Sequence, residues 1–110
     1  MDPARYAATA FRCDLLEPDG EILITVAGEV DLDTAPSLGE CLARASVRGK
    51  PVFLDLTCVS FIDGRGFRVI NAAAESAAGA GLYLTVATRS ALVGRILSAT
   101  AASGAQVLVG

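Results

Sequence analysis

The 110-residue sequence contains no histidine. Ser-His and Cys-His nucleophile pairs therefore cannot be built within this chain, and no His can complete a metal knuckle. The three cysteines, Cys13, Cys41 and Cys58, are odd in number and too widely spaced to form such a site alone. No metal or other cofactor is expected, and buried reduced thiols are the simplest reading. A regulatory disulfide between Cys41 and Cys58 is the redox alternative. Aromatic residues are scarce, at 5% against 53% hydrophobic overall, so the core must be assembled from Ala, Val, Leu and Ile. Long apolar runs are also missing: charge or Gly interrupts every stretch within about ten residues, whereas roughly 20 are needed to cross a bilayer. No membrane span is expected. The opening MDPARYAATAFRCD lacks the basic start and apolar run of a secretory signal, which makes the cytoplasm the expected location. Basic charge is thin, with 9 Lys and Arg against 12 Asp and Glu and a net charge of −3. Without a basic cluster, nucleic acid is not an expected partner.

What is present reads as one α/β domain spanning residues 1–110. EILITVA at 21–27 follows the turn signal Pro18-Asp19-Gly20, and a weaker strand at 11–16 precedes it, giving an opening hairpin. After Glu29-Val30-Asp31-Leu32-Asp33, either Asp33 or Thr34 is expected to cap a helix with Pro36 in its first turn. Leu38, Cys41, Leu42 and Ala45 share one face of that helix. Val52–Leu56 is apolar enough for a central strand covered on both faces. Asp63 is positioned to accept the amides of Arg65 or Gly66 and start a second helix carrying Phe67, Ile70, Ala74, Ala77 and Ala78, which Gly79 and Gly81 end. A strand at 82–87 follows, then a helix capped by Ser90 with Leu92, Val93, Ile96 and Leu97 on one side, then a strand at 106–109. The order β-β-α-β-α-β-α-β predicts a mixed sheet of about five strands with helices mainly on one face.

Residues 54–67, LDLTCVSFIDGRGF, resemble the strand-loop-helix signature of the STAS domain. Asp55, Leu56, Thr57, Phe61, Ile62, Asp63, Gly66 and Phe67 fall on matching positions, and Gly28-Glu29-Val30-Asp31 resembles the family's step before its first helix. The resemblance implies a STAS-like fold and an anti-sigma-factor antagonist. Its partner would be an ATP-binding, kinase-like anti-sigma factor, bound without turnover. The candidate contact set is Asp31, Asp33, Asp63, Gly64, Arg65, Gly66 and Arg68, and a homodimer stays open. In bacterial antagonists of this family the serine after the loop aspartate is phosphorylated, which breaks the complex by adding charge and bulk. Here that position is Gly64, followed by Arg65. Neither accepts a phosphate from a serine kinase, and neither Thr57 nor Ser60 inherits the role. Binding is expected to survive and phospho-control is not.

Arg65 and Arg68, three residues apart on the helix start, place positive charge where the dipole is already positive. Salt bridges to Glu29, Asp31 or Asp33 would relieve this; otherwise the pair forms a patch for an acidic partner. Two further readings compete. The domain could serve another STAS assembly, stressosome-like or lipid-transporting. Alternatively Gly64-Arg65-Gly66 could form an anion or nucleotide-phosphate site, although no GxxxxGK[ST] or GxGxxG pattern accompanies it. A carboxylate pair, Asp31 with Asp63, has no substrate-orienting group around it, and no enzymatic activity is expected.

Overall fold

The computed structural model describes residues 10–100 and 104–110. Its elements are β1 (Arg12–Leu16), a single 3-10 turn (Pro18–Gly20), β2 (Ile22–Val30), α1 (Ala35–Ser46), β3 (Val52–Ile62), α2 (Gly64–Gly79), β4 (Leu84–Thr88), α3 (Ala91–Thr100) and β5 (Ala105–Val109). They form one five-stranded sheet in the order β1-β2-β3-β4-β5. β1 and β2 pair antiparallel as a hairpin, with Cys13 opposite Val26 and Leu15 opposite Ile24, and every later pair is parallel. The expected α/β architecture and element order are those observed, and β3 is the central strand.

Burial alternates along β2: Ile22, Ile24 and Val26 are buried while Leu23, Thr25 and Ala27 between them are partly open. Period-two alternation places the first set on the helix-covered face. Leu54 and Leu56 of β3 and Leu84 and Val86 of β4 continue that face. All four residues read as the inner face of α1 are buried against it, as are Ile70 and Ala74 of α2 and Leu97 of α3. Phe67 is partly buried against the same cluster. The helices therefore cover one side of the sheet, and β3 is not the doubly covered strand its apolar run suggests: Phe53 and Asp55 lie on the uncovered face. Leu92 is likewise exposed rather than packed, because it lies in the first turn of α3, beyond the edge of the core.

β3 also runs six residues further than the sequence indicates, through Ile62. Two irregularities conceal the extension. Thr25 pairs with Asp55 but Ala27 with Cys58, and Gly28 pairs with Val59 but Glu29 with Phe61, so β3 carries one extra residue at each step. Such bulges bend a strand and re-aim its side chains. At the first, the Asp55 carboxylate accepts the Thr57 amide at 2.9 Å and the Thr57 hydroxyl at 2.6 Å. Between them lies Gly28 with φ +92°, a conformation that favours glycine.

Candidate protein-docking site

Because β2 to β5 run parallel, the segments leaving β2, β3 and β4 emerge at one end of the sheet. Three connections meet there: 31–34 before α1, Asp63 before α2, and Arg89-Ser90 before α3. Charged and apolar side chains distant in sequence are thereby gathered into one surface.

The first connection is fixed by Asp31. Its Oδ1 accepts the amides of Asp33 at 3.0 Å and Thr34 at 3.2 Å, while the Thr34 hydroxyl accepts the Asp31 amide at 2.9 Å and donates to the Glu29 carbonyl at 2.7 Å. The Ala35 amide already bonds to the Asp31 carbonyl at 2.8 Å. This reciprocal pair has the logic of a capping box, so Asp31 starts the turn that leads into α1. Thr34, one of the two expected residues, is the N-cap of α1, and its carbonyl accepts the Leu38 amide at 3.2 Å, but neither its side chain nor that of Asp33 accepts a hydrogen bond from an amide of α1. Asp33 is exposed and its carboxylate faces solvent.

The second connection is built as the sequence indicates. Asp63 Oδ1 accepts the amides of Arg65 at 2.9 Å and Gly66 at 3.2 Å, satisfying two of the free donors at the start of α2. The Asp63 amide donates to the Val30 carbonyl at 3.0 Å, which ties this connection to the end of β2. Gly66 is buried, and a Cβ there would lie 2.6 Å from Ile62 Cγ1 and 2.8 Å from Val30 Cγ1. The absence of a side chain there lets α2 approach the two strand ends closely. Gly64 is the opposite case, exposed with no atom within 4 Å of a Cβ built on it. The Ser60 hydroxyl donates to the Gly28 carbonyl at 3.3 Å.

Arg65 and Arg68 are exposed and take part in no ion pair among the described residues; the pairs formed are Arg12–Asp14, Arg48–Glu17 and Lys50–Glu17. The salt bridges expected to Glu29, Asp31 or Asp33 are absent from that set. Carboxylates on the β2 side and guanidinium groups on the α2 side, with Arg89 beyond, therefore stay available at one end. The arrangement does not suit an anion at the α2 start, since Asp63 already occupies the two amides it would use and adds a negative charge of its own. Among the described residues no group of three or more Cys, Asp or Glu could hold a metal ion.

Sequence reasoning placed Phe61 in the signature and Leu92 on a helix face but assigned none of the apolar residues of this end to a contact surface. Leu32 is 59% exposed, Phe61 52% and Leu92 59%. Phe61 lies in register with Glu29 after the second bulge and lines a cleft of about 80 Å³ with Val59, Ile62, Thr88 and Val93. That volume suits one inserted side chain, whereas small-molecule sites occupy roughly 300–1,000 Å³. The one available signal was the adjacent pair Phe61-Ile62, whose side chains point to opposite faces of a strand and cannot both be inward.

In the third connection Thr88 Oγ1 accepts the Ser90 amide at 3.1 Å and Ser90 Oγ accepts the Val93 amide at 3.1 Å, the expected cap of α3. The nearby Cys58 is exposed and pairs in register with Ala27 on the uncovered face, whereas Cys41 is buried in the helix layer. The sheet separates them, so the Cys41–Cys58 disulfide does not fit.

Among solved structures, an anti-sigma factor antagonist from Mycobacterium paratuberculosis superposes with a TM-score of 0.69 at 24% identity, over 84% of this chain and 79% of that one. The anti-sigma factor antagonist SpoIIAA in its unphosphorylated form gives 0.71 at 14% identity, over 92% and 89%. The phosphorylated form of SpoIIAA from Bacillus gives 0.68 at 13% identity, over 91% and 92%. At these identities the likeness establishes the fold. No curated protein matches the sequence. The STAS-domain model, however, matches residues 12–106, from the start of β1 into β5, and with that span the chain belongs to the STAS-domain family.

Proposed function

We propose that this protein is an anti-sigma-factor antagonist that binds an ATP-binding, kinase-like anti-sigma factor in the cytoplasm and acts by stoichiometric binding, without catalysis. The observation that carries the reading is the end of the sheet at which Asp33, Gly64, Arg65 and Arg68 meet exposed Leu32 and Phe61. An aromatic anchor beside a small apolar cleft, rimmed by unpaired charge of both signs, is the composition of a protein-binding hot spot. Asp31, Asp63 and Gly66 shape this face from within. The solved antagonists of similar fold support the partner class, and one of them exists in phosphorylated and unphosphorylated forms.

The usual serine switch is replaced here by a position without a side chain. Gly64 faces open space, so Gly64→Ser adds a hydroxyl without a clash. The test is titration of the purified protein against the kinase-like anti-sigma factor identified by mass spectrometry among proteins it retains from source cells. Wild type is expected to bind and to take up no phosphate from ATP, while Gly64→Ser binds equally and becomes phosphorylated. Arg65→Glu should weaken binding about tenfold or more, in keeping with loss of a desolvated charge contact, while its stability stays equal or rises by about 0.5 kcal/mol because an acid suits a helix start. Equal binding by wild type, Arg65→Glu and Phe61→Ser would place the contact elsewhere. Phosphorylation of wild type would refute the loss of the switch.

A further inference from the structure

Two of the three cysteines meet in the core on the far side of the sheet from Cys58. Cys13 lies in β1 opposite Val26, a buried residue of the helix-covered face, so its side chain points into the same layer. Cys41 is buried on the inner face of α1. β1 and α1 are in contact, and Cys13 packs against the cluster that contains Cys41. The Arg44 guanidinium, one turn along α1, donates to the Cys41 sulfur at 3.8 Å. We propose that Cys13 and Cys41 are a dithiol site that a two-electron oxidant, a peroxide or a diazene such as diamide, converts to a disulfide joining the edge strand β1 to α1.

The chemistry balances with peroxide. One sulfur attacks the O–O bond to give a sulfenic acid and water; the second displaces the hydroxyl from that sulfur, forming the S–S bond and a second water. Both thiol protons leave in the waters, the two sulfurs lose two electrons, and the peroxide gains them. Diamide instead takes the two electrons and two protons on its N=N bond. The Cys13 thiol is pushed up to about 12, first by burial and then by its side-chain contact with Cys41. Its thiolate is therefore rare at neutral pH, and the site oxidises slowly. Cys58 is the exposed thiol of the three and is removed in the test below. β1 has the most to gain, being an edge strand held on one side by β2 alone. The bond would close a loop of roughly 30 residues, within the range in which cross-links restrict the unfolded chain effectively. The proposal is independent of the partner-binding reading.

The experiment uses full-length Cys58→Ser protein, in which only Cys13 and Cys41 remain. Native protein is treated with diamide and read by intact mass, non-reducing peptide mapping and thermal melting. The expected result is a monomer lighter by two hydrogens, a peptide linking residues 13 and 41, and a melting temperature raised by about 10 °C, reversed by dithiothreitol. Cys13→Ser/Cys58→Ser protein should show neither change. An unchanged mass, when the same protein oxidises readily in urea, overturns the proposal. So does a 13–41 bond that lowers the melting temperature, since it would then require non-native geometry.

Discussion

Two glycines in the first turn of α2 should respond in opposite directions to the same added methyl group. At Gly66 a Cβ falls 2.6 Å from Ile62 Cγ1, 2.8 Å from Val30 Cγ1 and 3.0 Å from Ile62 Cδ1. Val30 is completely buried and cannot retreat, so the α2 start must move. Overpacking of this kind costs about 1–3 kcal/mol, offset by less than about 1 kcal/mol from replacing Gly by Ala in a helix. Gly66→Ala should therefore lose about 1–2 kcal/mol, a fall of roughly 5–15 °C in melting temperature for a domain of this size. At Gly64 a Cβ meets nothing within 4 Å, so Gly64→Ala should gain up to about 0.5–1 kcal/mol through the less flexible unfolded chain. Urea unfolding followed by circular dichroism reads both, with the midpoint shifting at unchanged slope. A Gly66→Ala protein as stable as wild type would refute the close-approach role of Gly66. Equal losses at both positions would mean that the helix start, not the packing beneath it, governs the response.

The cap assignments are tested by Asp31→Ala and Asp63→Ala, each expected to lose about 1 kcal/mol, while Asp33→Ala stays within about 0.5 kcal/mol of wild type in the same urea assay. A larger loss at Asp33 than at Asp31 would show that the Asp31 carboxylate does not hold the 31–34 turn that leads into α1. The Cys13 thiol gives a pH signature. It is raised from 9.0 to about 12, so the folded state keeps a proton that the unfolded chain releases. Its contribution is complete below about pH 9 and is lost as the pH rises toward about 12. Between about pH 8 and pH 10.5 the urea midpoint of wild type should fall further than that of Cys13→Ala; parallel declines would show that Cys13 is not the titrating group.

Local signals in the sequence identified what local physics determines. Leu38, Cys41, Leu42 and Ala45 recur at helical spacing, and all four are buried. Asp63 and Ser90 cap through amides two or three residues ahead, a bond whose partners are adjacent in the chain. Features that depend on a neighbouring strand were not legible. The second half of β3 does not alternate cleanly because two extra residues are absorbed against β2, and only the pairing reveals it. A rule that looks for the last polar residue before the helix finds the N-cap Thr34, but not that its hydroxyl turns back to the Asp31 amide and the Glu29 carbonyl while Asp31 Oδ1 holds the turn. The free state of Arg65 and Arg68, the exposure of Phe61 and the meeting of Cys13 with Cys41 are all consequences of tertiary placement.

At the docking end, the residues divide by what the fold asks of them. Asp31 and Asp63 each satisfy backbone amides, and Gly66 fills no space so that Val30 and Ile62 can; replacing any of them changes stability before it changes recognition. Gly64, Arg65, Leu32 and Phe61 contribute neither a side-chain cap nor full burial. Solvent-exposed Leu and Phe side chains return little hydrophobic stabilisation to the chain that carries them, and Arg65 and Arg68, in no ion pair among the described residues, oppose the helix dipole. Since neither feature helps the isolated fold, both would become favourable in the proposed complex, with a partner that covers the apolar groups and supplies negative charge. The same division bears on the proposed loss of a phosphate acceptor at position 64. A Cβ at Gly64 meets nothing within 4 Å in the free protein, so folding places no demand on that position, and the proposed loss of phosphate control there would leave the rest of the proposed docking surface unchanged.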